Sequence, residues 1–389
     1  MHIFTALTYY RPHYSGLTIY AERLARALHE RGHHVRVLTS RFKRNLAPRE
    51  ICNGVEVIRP SVLLRVSKGV IMPAMPFLAW RSIRQADVVH LHLPQLDAAY
   101  MAVMAWLAGK PVILTYHCDL ALPRGIVHYL ANLASHLANH ISARFADVIV
   151  TNTRDYAEHS FFLRRYLSKV RAIFPPVEMA GVSEADVQAF RRKAKIEPGQ
   201  QIIGMAARLA SEKGVEYLVQ AFPSVLEKYP QARVLFVGQH EQVVGEEQYA
   251  QKLAPLIRSL GEHWSFLGIL SPVELSVFFQ EADVIVLPSL NSTESFGMVQ
   301  VEAMFCGTPV VASNLPGVRI PVTLTGMGRV IPSANAAALA EAINDVLDRP
   351  ADYVKDMRVI HRQFSPETIA REYEALFDEV RKEKTRRER

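Results

Sequence analysis

Gln85-Ala86-Asp87-Val88-Val89, Phe145-Ala146-Asp147-Val148-Ile149-Val150 and Glu281-Ala282-Asp283-Val284-Ile285-Val286 are three versions of one phrase, and they decide the fold. Each follows a stretch of helical pattern and opens a short run of β-branched apolar residues. Runs without polar alternation read as strands buried on both faces, the signature of a parallel sheet. Further strands are expected at Ile3–Leu7, Val35–Thr39, Val112–Tyr116, Ile202–Ala206, Arg233–Val237 and Pro309–Ala312. Helical patterns lie between most of them, at Tyr20–Arg31, Val215–Lys228 and Ala336–Leu347. Alternating strand and helix gives a doubly wound α/β sheet.

The strands fall into two groups, residues 1–151 and 202–331. Between them Ile173-Phe174-Pro175-Pro176-Val177 carries a proline pair that continues neither a helix nor a central strand. The division expected is a Rossmann-like domain over 1–175, a linker region over 176–200, a second Rossmann-like domain over 201–362, and a C-terminal helix with a solvated, disordered charged tail (RKEKTRRER) over 363–389. A length of 389 residues suits two domains of ordinary size. Ligands of open α/β sheets bind at the carboxyl ends of the strands. Two such sheets facing each other would place the site in the cleft.

Composition narrows the classes. Cys52, Cys118 and Cys306 are far apart, so neither a disulfide framework nor a structural zinc site is implied, and a reducing compartment fits. Residues 1–10 carry no targeting pattern. No apolar run is long enough to span a bilayer; the best stretch, 61–80, is broken by Arg65, Lys68, Pro73 and Pro76. Charge is uneven. Residues 1–175 hold 22 basic and 10 acidic side chains, net +12, whereas 176–389 hold 23 and 28, net −5. A basic half attracts anions, among them a membrane surface, nucleic acid or a phosphorylated acceptor.

Four strand-end loops carry candidate chemistry. After the strand at 284–287, Asn291-Ser292-Thr293-Glu294-Ser295-Phe296-Gly297-Met298 leads into a helix expected to start near Phe296, with Glu302 about two turns in. A helix N-terminus offers unpaired N–H groups, and Gly297 lets the backbone approach an anion. Carboxylates accept paired hydroxyl donors, so Glu294 and Glu302 suit sugar and ribose rings. After the strand at 202–206, Arg208 and Lys213 place two cations five residues apart, a spacing suited to a diphosphate. After the first strand, the loop Tyr9–Gly16 is a candidate phosphate cradle through Gly16. It lacks the G-x-G-x-x-G of a dinucleotide site. At the end of 112–116 stand His117 and Asp119, the first expected at the cleft, the second expected to orient it or to meet an acceptor. His90 and His92 are expected in core or solvent. The neighbours His33 and His34 are poorly placed to chelate together.

Ser295-Phe296-Gly297 through Cys306-Gly307-Thr308-Pro309-Val310-Val311-Ala312 resembles the signature of family 4 retaining glycosyltransferases. The resemblance implies the GT-B fold, two Rossmann-like lobes with the donor in the cleft. It implies that Glu294 binds donor-sugar hydroxyls, Glu302 the ribose, and the Ser295–Met298 backbone the sugar and phosphate. Arg208 and Lys213 would contact the donor diphosphate, His117 the donor sugar, Gly16 the phosphate, and Leu270 of Phe266–Ser271 the base. Tyr10, His13 and Asp119 fall on the acceptor side. The chain departs from the family pattern at Ala207, where glycine is usual. It departs again at Leu315–Arg319, where an acidic Gly-Gly-x-x-Glu pattern is missing.

The expected activity is therefore transfer of a hexose from a nucleotide sugar with retained configuration. No D-x-D triplet appears and the cations would replace a metal, so no metal or other cofactor is expected. Residues 61–80 suggest an interfacial segment reaching a lipid-linked acceptor at an anionic membrane surface, with core helix plus loop as the alternative. The expected location is the cytoplasm, peripheral at the inner membrane face, with no nucleic acid partner. The rival readings are a nucleotide-sugar epimerase of the same architecture and a nonenzymatic anion-binding protein.

Overall fold

The computed structural model describes residues 1–66, 69–119 and 126–387. The chain forms two compact units, one of residues 1–176 with 364–389 and one of residues 177–363.

The first unit holds β1 (His2–Ala6), β2 (His34–Leu38), β3 (Arg49–Cys52), β4 (Val55–Ile58), β5 (Leu64–Val66), β6 (Gly69–Ile71), β7 (Val88–Leu93), β8 (Val112–Tyr116), β9 (Val148–Thr151) and β10 (Val170–Ala172). Eight of these form one sheet in the order β10-β9-β8-β7-β1-β2-β4-β3, parallel except for the β3–β4 pair. The second unit holds β11 (Ile202–Ala206), β12 (Arg233–Val237), β13 (Trp264–Gly268), β14 (Val284–Leu287), β15 (Val310–Ser313) and β16 (Gly328–Ile331), all parallel in the order β13-β12-β11-β14-β15-β16. Both are doubly wound. The order reverses between β1 and β7 in the first unit and between β11 and β14 in the second, and those reversals are the topological switch points.

The repeated Ala-Asp-Val phrase has one physical job in all three places. Asp87 donates its backbone N–H to His2 O at 2.8 Å and accepts His2 N–H on its carboxylate at 2.8 Å. Asp147 does the same with Val112, at 2.9 Å each way, and Asp283 with Ile202, at 2.9 and 2.7 Å. The carboxylate thus satisfies the first donor of the neighbouring strand, a group that the parallel ladder leaves unpaired.

Several elements differ from expectation. The β3–β4 hairpin turns at Asn53-Gly54 with φ of 49° and 80°. This is the Asn-Gly turn whose twist matches a hairpin, a signal present in the sequence and not used there. Residues 61–80, expected as an interfacial segment or as a core helix plus loop, form a two-stranded ribbon and the start of a helix. β5 and β6 pair antiparallel, and a helix follows at Met75–Gln85 with Pro76 in its first turn. Lys68 lies outside the described residues. The proline pair at 175–176 closes the first unit. Beyond it, the stretch read as a linker belongs to the second unit, where the helix Glu184–Ala194 packs on Pro272–Glu281.

The charged tail is corrected too. It continues the helix Pro366–Arg387, and that helix belongs to the first unit. Ile369, Ala370, Tyr373, Leu376, Phe377 and Val380 form one buried stripe at helical spacing. Lys384 then donates to Lys110 O at 2.9 Å and lies 3.6 Å from Asp147, so the basic residues are held by the unit's own acids and carbonyls. Glu388 and Arg389 lie outside the described residues.

Candidate active site

In the second unit the loops that follow β11 and β14 meet at the switch point. β11 and β14 are neighbours, with Ile203 opposite Val284. Gly214 ends the turn after Lys213 with φ +67°, and a Cβ there would run into the Pro288 carbonyl. Only glycine allows this approach. Leu290 N–H donates to Glu212 O at 3.0 Å and ties the two loops. The result is the pair Lys213–Glu294, with Nζ donating to Oε2 at 2.7 Å and both side chains less than one-fifth exposed. Burial by itself would lower the Lys213 pKa; the Glu294 carboxylate outweighs it and holds the value above normal, so Lys213 is a fixed cation. Arg208 is half-exposed and donates to Glu212 at 2.8 Å.

Gly297 has φ +75° and its missing Cβ leaves room for the Leu287 and Gln300 side chains. The helix begins at Met298 rather than Phe296, because Gly297 occupies the left-handed cap position. Ser295, Phe296 and Glu302 are buried and Met298 half-buried. Glu302 also helps burial push the Cys306 thiol up to about 12. Gln300, which the sequence reading passed over, is fully buried and donates to Phe296 O at 2.7 Å and Val318 O at 2.9 Å. It braces the Glu294 loop against the Leu315–Arg319 turn; a glutamine inside an apolar helix was the one available signal. Leu270 follows the edge strand β13, two strands from β11, at the same end of the sheet. It is not brought against the Lys213–Glu294 pair.

In the first unit His117 follows β8 and is 8% exposed. Its Nε2 lies 2.9 Å from His92 Nδ1, and its ring stands perpendicular to that of Tyr20 with the centroids 4.9 Å apart. Burial drives the pKa of His117 down to about 3, and that of His90 likewise, so both rings are neutral. Asp119 does not orient His117. Its Oδ1 accepts Tyr116 OH at 2.9 Å and Ser160 Oγ at 2.7 Å, which fixes the loop after β8. Gly16 is exposed at the start of the helix Gly16–Glu30, whose cap is Ser15 in a reciprocal pair with Thr18. Tyr10 is 1% exposed, so its ring is core and not an acceptor contact. His13 is half-buried and stacks on Tyr9.

Two doubly wound parallel-sheet units with cations and acids on their strand-end loops have the architecture of the GT-B class. The crystal structure of HepE from Anabaena in complex with UDP matches with a TM-score of 0.75 at 19% identity, over 97% of this chain and all of that one. The family model for glycosyl transferases group 1 matches residues 186–363 and that for Glycosyltransferase Family 4 matches 14–180. The chain belongs to glycosyltransferase family 4. Relatives include an uncharacterized glycosyltransferase of Methanocaldococcus jannaschii, 25% identical over 92% of each chain. Another is the phosphatidyl-myo-inositol mannosyltransferase of Mycobacterium leprae, 27% identical over 85% of each chain.

Proposed function

We propose that this glycosyltransferase moves a hexose from a nucleotide sugar to an acceptor hydroxyl, without a metal and with retained anomeric configuration. The Lys213–Glu294 pair at the β11/β14 switch point carries the reading. In the reaction the bond between the anomeric carbon and the diphosphate oxygen breaks, and its electrons leave with the nucleoside diphosphate. The acceptor oxygen forms the new bond on the same face, and its proton passes to the departing phosphate oxygen. Charge develops on the diphosphate and on an oxocarbenium-like sugar. Lys213 and Arg208 meet the first. Glu294 and the backbone of Ser295–Met298 hold the sugar and phosphate, and Glu302 takes the ribose. Leu270 borders the base. In the first unit Gly16 approaches phosphate and His117 donates to a sugar hydroxyl. The UDP bound in the HepE structure supports a nucleotide-sugar donor.

The acceptor is a lipid-linked glycan precursor, reached from the cytoplasmic face of an anionic membrane. Leu63, Leu64 and Ile71 of the β5–β6 ribbon and Phe77 and Trp80 of the following helix are exposed, with exposed Arg81 and Arg84 beside them. Apolar side chains flanked by cations suit a lipid interface. Among the described residues no helix is long and apolar enough to cross a membrane.

The test is a panel of nucleotide sugars with and without acceptor. Acceptor-dependent nucleotide release is expected, and Arg208→Ala or Lys213→Ala cuts kcat/KM at least about tenfold. Near-normal turnover in both variants rejects the assignment. Co-sedimentation with anionic vesicles at low salt, weakening as salt rises, tests the membrane contact; no binding at low salt rejects it.

A further inference from the structure

His117 sits on a buried polar network that no strand-end motif announces. His92 Nδ1 lies 2.9 Å from His117 Nε2, with the two ring planes 18° apart. The other nitrogen of His92, Nε2, is buried and has no hydrogen-bond partner among the described residues. A neutral imidazole carries one N–H. If His117 donated, the His92 proton would sit on Nε2 as a buried orphan donor. If His92 donates, its Nε2 is left as a bare lone pair, the less costly arrangement. The proton of His117 then lies on Nδ1, the only polar atom of that ring left to face a ligand.

A second arm holds the ring in place. Tyr20, whose ring packs perpendicular to that of His117, is 2.7 Å from Tyr373 of the C-terminal helix through their hydroxyls. Tyr373 OH is also 2.8 Å from Thr115 Oγ1, and Thr115 Oγ1 is 2.7 Å from His90 Nε2. His90 in turn lies against His92, with ring centroids 4.4 Å apart. Every member is buried, and the network joins the first helix, β7, β8 and the last helix of the chain.

We propose that His92 is a positioning residue that fixes His117 as the Nδ1–H tautomer, and that Tyr373 holds Tyr20 and through it the His117 ring, so that the C-terminal helix serves sugar transfer in the first unit. This rests on the reading of His117 as a donor-sugar contact. The neutrality that burial imposes on all three imidazoles supports it.

Nitrogen-15 imidazole NMR on the histidine-labelled full chain reads the tautomer without any activity. His117 is expected as Nδ1–H in the wild type. Nε2–H in the wild type overturns the proposal. Kinetics on the best donor of the panel separate the two readings. His92→Phe lowers kcat about tenfold with donor KM within about threefold, and His92→Asn, which keeps a donor, restores part of the loss. Tyr373→Phe lowers kcat about threefold. If His117→Ala keeps full activity, the donor-contact reading fails. If His117→Ala is impaired while His92→Phe is not, the positioning proposal fails alone.

Discussion

The Lys213–Glu294 pair of the second unit and the His92–His117 pair of the first both stand at the carboxyl ends of parallel strands, and they are built in opposite ways. Lys213 and Glu294 are charged, belong to two contiguous loop motifs, and are brought together by backbone: Gly214 against Pro288, and Leu290 N–H on Glu212 O. His92 and His117 are neutral and are held by side chains from four separated segments, including a hydroxyl pair 353 residues apart in sequence. A site made of backbone turns and opposite charges survives dilution of its surroundings. A site made of buried neutral rings depends on the whole core around it.

Acid should break the comparison most strongly. His90 and His117 have folded values of about 3, below the ordinary 6.5, so the unfolded chain takes up protons that the folded one refuses. Their contribution is complete above about pH 6.5 and is lost as the pH falls toward 3, about 2 kcal/mol for each ring by pH 5. Glu372, raised by burial, opposes this in part. Thermal melts at pH 7.5 and pH 5 should therefore differ by many degrees. Equal melting would remove the buried-histidine account.

Next in size is Lys213→Ala, expected to lower kcat/KM about 100-fold, with some loss of stability because the Glu294 carboxylate is left buried without its cation. Loss of fold rather than of rate would show that the pair is structural. Gly214→Ala strains a left-handed residue and pushes a methyl group into the Pro288 carbonyl, at a cost of about 2 kcal/mol. Urea titration reads the stability, and lost activity should accompany it because the turn places Lys213. An unchanged midpoint would mean that the two loops part easily. Smallest is Asp119→Ala, expected to cost about 1 kcal/mol through the Tyr116 and Ser160 hydroxyls it leaves unpaired, with kcat within a few-fold. A tenfold fall in kcat at constant stability would return Asp119 to the acceptor side.

The same contrast explains what could be read from the chain. β8, β11 and β12 match their expected bounds because fully buried parallel strands have an unmistakable composition. The Asn53-Gly54 hairpin is equally legible, since that dipeptide favours the left-handed φ values both residues adopt. The tail at 381–387 reads as solvated from its charges alone, because the Asp147 carboxylate and the Lys110 carbonyl that hold Lys384 are far away in sequence. Gln300 and Tyr373 had no motif to mark them.

Sequence alone determined the two sets of parallel strands, the Asp that begins three of them, and the loop motifs bearing Arg208, Lys213, Glu294 and Glu302, since each is a local pattern imposed by backbone hydrogen bonding and burial. Tertiary structure decided that the last helix returns to the first unit, that Lys213 neutralises Glu294, and that His117 answers to His92 and not to Asp119. Those outcomes depend on which distant side chains share a buried, low-dielectric space, and spacing along a chain does not encode that.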